Sequence, residues 1–408
     1  MPLDNITTPA GINASGQMVN FVKTMRFQSL PKSLYGQSRQ TPKTRISPKG
    51  HMQMTEAPQE LFVDVGDKFV GGNVSVNFEM LASLSQDGAS GTATVRGNGT
   101  YEEGLVFKFF RATANMRRKA IPLDGDGVAK HALSGYTDKE MYNNLLSAWV
   151  SDDVEFGIRH SICEGVPPWL EAAPASVTTK IHPNVFCAGV ADGDQPTYSK
   201  TAATWADRVG QAAAGIPASV EGGLSYKVLA KLEEQVSDKF ILDLGWSKGP
   251  GKLLSISRRG YNQLINDPKV HEIFEHADVR GSMNQLFTGV VGPICGFYLW
   301  VDDRLPRIAV SGAGTKTIAF TYWGHGRTDN RVGTLDCNIV HGAGSIMRGN
   351  MIAPHFINDD EDYGIINGLG ISRTECIIRP QYDLEAASTT DTSIEVDGTA
   401  LLITRRDV

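Results

Sequence analysis

Lysine and threonine follow closely spaced glycines in Gly312-Ala313-Gly314-Thr315-Lys316-Thr317, the residue types that cradle a phosphate. A phosphate loop needs G-x-x-x-x-G-K-[ST], so that backbone N–H groups and the lysine converge on the same oxygens. That spacing is not met, and the segment reads as a turn between strands. The nine histidines include His325, His341 and His355, yet none stands in H-E-x-x-H or in a Cys/His metal spacing. No G-x-S-x-G elbow presents a serine nucleophile. Asp302-Asp303 and Asp359-Asp360-Glu361-Asp362 carry carboxylates enough for a divalent cation, but the second run lacks the D-x-D-x-D-G-x₅-E calcium loop. It reads as a solvated acidic turn, with an intersubunit salt bridge as the next option. The five cysteines (163, 187, 295, 337 and 376) are scattered without a C-x-x-C pair, the pattern of reduced, mostly buried thiols in a cytosolic protein. The sequence therefore predicts no catalytic constellation, no metal and no cofactor.

What remains is polyelectrolyte chemistry. Net charge is −6, but residues 1–52 hold seven basic groups (Lys23, Arg26, Lys32, Arg39, Lys43, Arg45 and Lys49) against the single acid Asp4. That segment is +6, which leaves −12 on the rest. A basic arm on an acidic body suits contact with a polyanion or with acidic neighbours; a solvated tail is the plainer reading. Only Phe21, Phe27 and Tyr35 could stack on bases, so specific single-strand binding is weakly supported.

The elements that must position these groups follow in order. The chain has 408 residues, room for two or three domain-sized units. No apolar run is long enough to span a membrane, and the N-terminus lacks the basic start and apolar core of a secretory signal. Residues 1–60 are interrupted by Pro31, Pro42 and Pro48 and read as an extended arm. Residues 61–118 alternate like a long antiparallel ribbon, as in Val74, Val76, Phe78 and Met80; such a hairpin is costly alone and becomes sensible across a neighbouring subunit. Thr137 and Glu140 form a capping box, and Tyr142, Leu145, Leu146, Trp149 and Val150 continue at helical spacing towards Cys163, stopped by Pro167-Pro168. Beyond it, Asn184–Gly189 reads as a strand and residues 191–222 as loops. Leu224, Val228, Leu232 and Val236 mark a second helix, Lys252–Ile256 a strand and Arg258–Asp267 a helix. A short helix pattern follows from Pro268 to Ala277. Further strands are expected at Thr317–Tyr322, Glu375–Arg379 and Ala400–Thr404. The run Leu286–Trp300 places Gly289, Gly292 and Gly296 among apolar residues, which suggests close backbone packing or a sharp turn between buried strands.

This order of arm, ribbon, long helix, mixed body and closing strands resembles the major capsid proteins of tailed phages with the Hong Kong 97 (HK97) fold. The local text resembles the N4-like podovirus branch. The resembling pieces are RGNGTYEEGLVF with ATANMRR after it, YNNLLSAWVSDDVEFGIRHS, NVFCAGVADGD, LLSISRRGYNQLINDPKV, ADVRGSMNQLFTGVVGPICGFYLW, NIVHGAGSIMRG and DEDYGIINGLGIS. They run collinearly from about residue 90 to about residue 375, and Gly324–Cys337 looks like a local elaboration. The resemblance implies an α+β fold with an N-arm (1–60), an E-loop (61–118), a P-domain with a spine helix (119–190), an A-domain (191–334) and a return through the P-domain to closing strands (335–408). It implies a non-enzymatic homo-oligomer of hexamers and pentamers, tiling an icosahedral shell around double-stranded DNA. Nonspecific contact with that DNA, and scaffolding, decoration and portal proteins as partners, belong to the same expectation. So does a place in the virion after assembly in the host cytoplasm. Lys23, Arg26, Lys32, Arg39, Lys43 and Arg45 would serve assembly through the arm. Glu102 and Glu103 would meet basic groups of a neighbour, Arg117 and Arg118 among them. Gly289, Gly292 and Gly296 would pack strands near a capsomer centre. An encapsulin-like shell of the same fold, a DNA-binding architectural protein and a cytosolic enzyme remain the alternatives.

Overall fold

The computed structural model describes residues 45–46, 52–53, 62–64, 75–81, 107–124, 138–170, 181–199, 201–239, 241–246, 249–272, 294–323, 331–361, 366–383, 394–395 and 398–407. Short pairs come first: β1 (Arg45–Ile46) with β2 (Met52–Gln53), both antiparallel, then β3 (Phe62–Asp64). The ribbon is β4 (Ser75–Leu81) against β5 (Phe107–Thr113), also antiparallel, with Phe78 opposite Phe110. After β6 (Asn115–Asp124), helix α1 runs for 27 residues, Asp138–Glu164. The capping box at Thr137 and the segment 324–330 lie outside the described residues.

The body is built on β13 (Leu335–His341), whose seven residues are all buried. It pairs antiparallel with β18 (Thr399–Arg405) on one edge, and with β9 (Gly249–Ile256) and β11 (Arg307–Ser311) on the other. β16 (Tyr382–Asp383) and β17 (Ile394–Glu395) form a separate antiparallel pair. Parallel neighbours extend the body sheet outward, β10 (Phe297–Val301) on β9 and β7 (Val185–Cys187) on β18, and β8 (Leu244–Trp246) pairs antiparallel with β9. Near-continuous apolar runs in these strands make sense because both faces are covered. Leu335, Cys337, Ile339, Leu401 and Ile403 face one core with the end of α1 and helix α2 (Ala202–Ala214). Val340, Ala400 and Leu402 face the other, with α3 (Tyr226–Asp238) and α4 (Arg258–Ile265). Each fully buried Leu or Ile contributes about 1.5–3 kcal/mol.

Two readings of this region need correction. Residues 191–222 are not only loops: α2 lies within them, buried through Trp205, Val209, Ala212 and Ala213. Small residues suggested a loop, but alanine is the strongest helix former. The second helix starts after Leu224, because the Ser225 hydroxyl accepts from the Val228 N–H and caps it. Elsewhere the Gly312–Lys316 segment is the turn joining β11 to β12 (Thr317–Thr321), with Gly312 at φ +104.

A second sheet has the order β3-β14-β15-β6, where β14 (Ile346–Glu361) and β15 (Ile366–Ile378) form a long antiparallel hairpin. At 16 residues β14 reaches about 50 Å. Asp359, Asp360 and Glu361 belong to this strand and not to a turn, because each keeps a partner in β15. The register of β14 slips between Asn350 and Ile352 and again between Ile352 and His355, around Pro354. Among the described residues its outer edge pairs with β3 over Ile346–Arg348. Helix α1 packs across the sheet through Leu146, Leu369 and Ile371, with Tyr142, Trp149, Val150 and Ile121 around them.

Candidate functional site

The described residues concentrate their buried charge where α1 crosses both sheets. Register puts Arg117 of β6 directly opposite Arg373 of β15. Two like charges facing across strands repel, so something must separate them. Asp153 of α1, fully buried, does so. Its carboxylate accepts from Arg117 Nη2 at 2.7 Å and Nε at 3.1 Å, and from Arg373 Nη2 at 2.6 Å. Arg373 also donates to the Val150 carbonyl at 3.1 Å and pairs with Glu375 at 2.7 Å. Arg348 lies 3.7 Å from Glu375. Burial holds the Glu375 carboxyl above its ordinary range against the pull of Arg373 and Arg348, and burial pulls Arg373 down. The Arg117 guanidinium is sandwiched further by Trp149 and Trp169, 5.9 and 4.4 Å from the ring centroids.

The same helical turn grips the body. Asp152 pairs with Arg304 Nη2 at 2.9 Å, and Glu155 with Arg159 at 2.9 Å. Arg159 then reaches Asp302 at 2.6 Å, and the other Asp302 oxygen accepts from the Arg304 N–H. Asp302 thus turns inward and is buried, while Asp303 meets Arg258 at the surface. His341, buried beside this cluster, is pushed down to about 3 by burial and stays neutral. At the C-terminal end of α1, Arg379 donates to the Ile162 carbonyl at 2.6 Å, satisfying an acceptor the helix leaves open. Tyr322 donates to Glu164 at 2.7 Å.

This arrangement holds a helix at fixed height and rotation between two sheets. Breaking either grip leaves a buried charge, so the helix cannot roll on one sheet without disturbing the other. Among the described histidines, His182 is buried on Thr399 at 2.7 Å, His341 is buried and His355 is exposed, while His325 lies outside the described residues. No group of three or more His, Cys, Asp or Glu placed to hold a metal occurs among the described residues. Among them, too, no helix is long and apolar enough to cross a membrane.

Of the residues singled out from sequence, Arg117 enters the buried seam of its own chain, and Arg118, its neighbour, is exposed on the opposite face of the sheet. Gly296 occupies a tight turn: Ile294 and Phe297 exchange N–H···O bonds at 2.9 Å, with Cys295 at φ +49 and Gly296 at φ +76. Lys23, Arg26, Lys32, Arg39, Lys43, Glu102, Glu103, Gly289 and Gly292 lie outside the described residues; Arg45 is described by its backbone in β1 alone. The seam itself was missed. The pairs that join α1 to the two sheets, such as Asp153 with Arg117 and Arg373, are 36 and 220 residues apart in sequence, and no local signal connects them.

No family model matches the sequence, and no curated protein matches it. Solved structures do match. The capsid of Ralstonia phage GP4 is 13% identical, over 92% of this chain and 91% of that one, with a TM-score of 0.53. The capsid of cyanophage Pam1 is 11% identical over 85% and 88%, with a TM-score of 0.57. The chain has the HK97-type α+β fold. The head structure of Helicobacter pylori bacteriophage KHP40 is a further likeness at 11% identity, over 84% and 87%, with a TM-score of 0.53.

Proposed function

We propose that this chain is the major capsid protein of a tailed phage, assembling as hexamers and pentamers into an icosahedral head around double-stranded DNA. The observation that carries the proposal is the likeness to capsid proteins along at least 84% of the chain in each comparison. The described geometry supports it. A charge-gripped helix and a 16-residue strand make a stiff frame, and the buried ion pairs of Arg159 with Asp302 and of Arg373 with Asp153 serve packing. The role is structural and not catalytic.

In this reading α1 is the spine helix, β4 and β5 belong to the E-loop, and the eight-stranded sheet spans the A-domain and the returning strands, with the boundaries given above. The quoted sequence pieces support the N4-like branch. The arm, with Lys23, Arg26, Lys32, Arg39, Lys43 and Arg45, faces the interior or clamps a neighbouring spine helix. Glu102 and Glu103 pair with basic groups of the next subunit. Gly289 and Gly292 allow close strand approach near a capsomer centre. Scaffolding, decoration and portal proteins are the expected partners, with assembly in the host cytoplasm and nonspecific contact with packaged DNA.

Electron microscopy of the concentrated recombinant protein tests the core of the proposal, with closed shells as the expected result. A compact monomer that never assembles, alone or with scaffold, would refute it. Deleting residues 1–50 should abolish assembly, and normal shells from the truncated chain would remove the arm from that role. Cargo enzyme in place of genomic DNA inside native particles would instead favour an encapsulin-like shell.

A further inference from the structure

His182 takes no part in the seam, but both nitrogens of its ring are engaged. It precedes Pro183, which biases it towards extended backbone, and the Asn184 N–H turns back to donate to Nδ1 at 2.9 Å. A backbone N–H can only donate, so Nδ1 is bare and the ring proton sits on Nε2. Nε2 then donates to the Thr399 hydroxyl at 2.7 Å. The neutral ring is fixed in one tautomer, and no position is left for a second proton. Water cannot take up the difference, because His182 and Thr399 are both fully buried.

The surroundings oppose a charge as well. Burial first, and the Arg379 guanidinium second, hold His182 well below its ordinary 6.5. From β13, His341 stands opposite Thr399 in register; burial keeps it neutral too, with Asp302 and Arg159 acting on it. From α1 the contact is the Cys163 carbonyl, which accepts the His182 N–H at 2.9 Å.

What these bonds hold is the strand β7, which pairs with β18 over three residues. Asn184 begins that pairing: its carbonyl accepts from the Leu401 N–H at 2.9 Å, and its side-chain amide reaches the Thr399 carbonyl at 3.4 Å. At Cys187 the side-chain amide of Gln195 closes the other side, accepting from the N–H at 3.0 Å and donating to the carbonyl at 2.8 Å. A proton on Nδ1 of His182 would face the Asn184 N–H, donor against donor. The pair must separate, and Asn184 carries the start of β7 away with it.

We propose that His182 is a proton-operated latch on β7: the neutral ring seats the strand, and protonation at Nδ1 releases it from the sheet and uncovers Cys187. The latch belongs to the single chain, whatever that chain assembles into. Because the folded value lies below the ordinary 6.5 of an exposed ring, the contribution of His182 is complete above 6.5 and is lost as pH falls below it. Relative to pH 8, opening at pH 5 is favoured about thirtyfold. Such opening is local, since a three-residue strand can leave while the rest of the sheet stays paired.

The test labels thiols of the full-length chain with a pyridyl disulfide, which reacts in acid as well as at neutral pH, and locates the label by mass spectrometry. Cys187 and Cys376 are both buried, and the partly exposed Cys295 serves as internal reference. Labelling of Cys187 relative to Cys295 should rise about thirtyfold from pH 8 to pH 5, while Cys376 in the other sheet stays protected. His182→Gln keeps an acceptor and a donor but has no titratable nitrogen, and it should abolish the rise. His341→Gln should leave the rise in place. A Cys187 ratio that is the same at pH 8 and pH 5 would overturn the latch. So would a rise shared by Cys376, which marks general loosening, or a rise that survives His182→Gln or disappears with His341→Gln.

Discussion

Asp153→Asn tests the seam most directly. The carboxylate separates two guanidiniums that register forces to face each other, accepting three hydrogen bonds with its side chain fully buried. Asparagine offers one acceptor atom and turns an N–H₂ towards a cation. The side chain of Arg373 is 2% exposed, so water cannot replace the lost charge, and the Glu375 carboxylate and the Val150 carbonyl remain to it. The Arg117 side chain, 29% exposed, recovers part of its hydration. Removing one partner of a buried pair costs about 3–5 kcal/mol, and recovery at Arg117 argues for about 3. Guanidinium unfolding followed by tryptophan fluorescence measures this, since Trp149 and Trp169 flank Arg117. The midpoint should fall at unchanged slope. Adding Arg373→Met deletes the stranded cation, so the double variant should be more stable than Asp153→Asn alone. A loss below about 1 kcal/mol, the range of surface pairs, would refute the reasoning. So would a double variant that shows no recovery.

The remaining predictions concern titration, a turn and the thiols. Glu375 is held above its ordinary 4.5, so the folded state binds its proton more tightly than the unfolded state. Its contribution is fully present below 4.5 and is lost as pH rises through the raised value. Unfolding free energies from pH 7 down to 4 should therefore show wild type gaining on Glu375→Gln; a constant gap would contradict the shift. Gly296→Ala places a side chain at φ +76 and its Cβ 3.2 Å from the Glu233 carboxyl carbon, for a loss of about 1–2 kcal/mol. An unchanged denaturation midpoint would exclude strain at this turn. Burial pushes the Cys187 and Cys376 thiols up to about 12, and Cys163 and Cys337 are fully covered. Ellman's reagent at pH 8 should reach at most Cys295 in the native chain and all five thiols after unfolding. Two or more fast-reacting native thiols would speak against this core.

Local signals in the sequence led to local structure. Arg258 begins a helix because Ser257 caps it, its hydroxyl accepting from the Gly260 N–H, and that helix is legible from its text. Asn184–Gly189 reads as a strand for its apolar run between turn residues, and Val185–Cys187 within it is one. The failures have equally physical causes. Alanines and glycine in α2 hide a helix whose apolar face is mostly small, with Trp205 and Val209 the exceptions. Four acids in succession suggested a wet turn, although backbone pairing with β15 decides the conformation there. The seam was out of reach because Asp302 and Arg159 are 143 residues apart. Which of twenty-odd arginines meets which acid is settled by topology, not by spacing.

The slips around Pro354 carry one more consequence. An extended strand with an uncovered side offers a row of donors and acceptors on which a stranger's backbone can crystallise into fibrils. In β14 the two irregularities break the regular alternation of donors and acceptors, and Pro354, just before His355, has no N–H to give. A strand broken in this way is a poorer template for sideways zippering than a regular one of the same length.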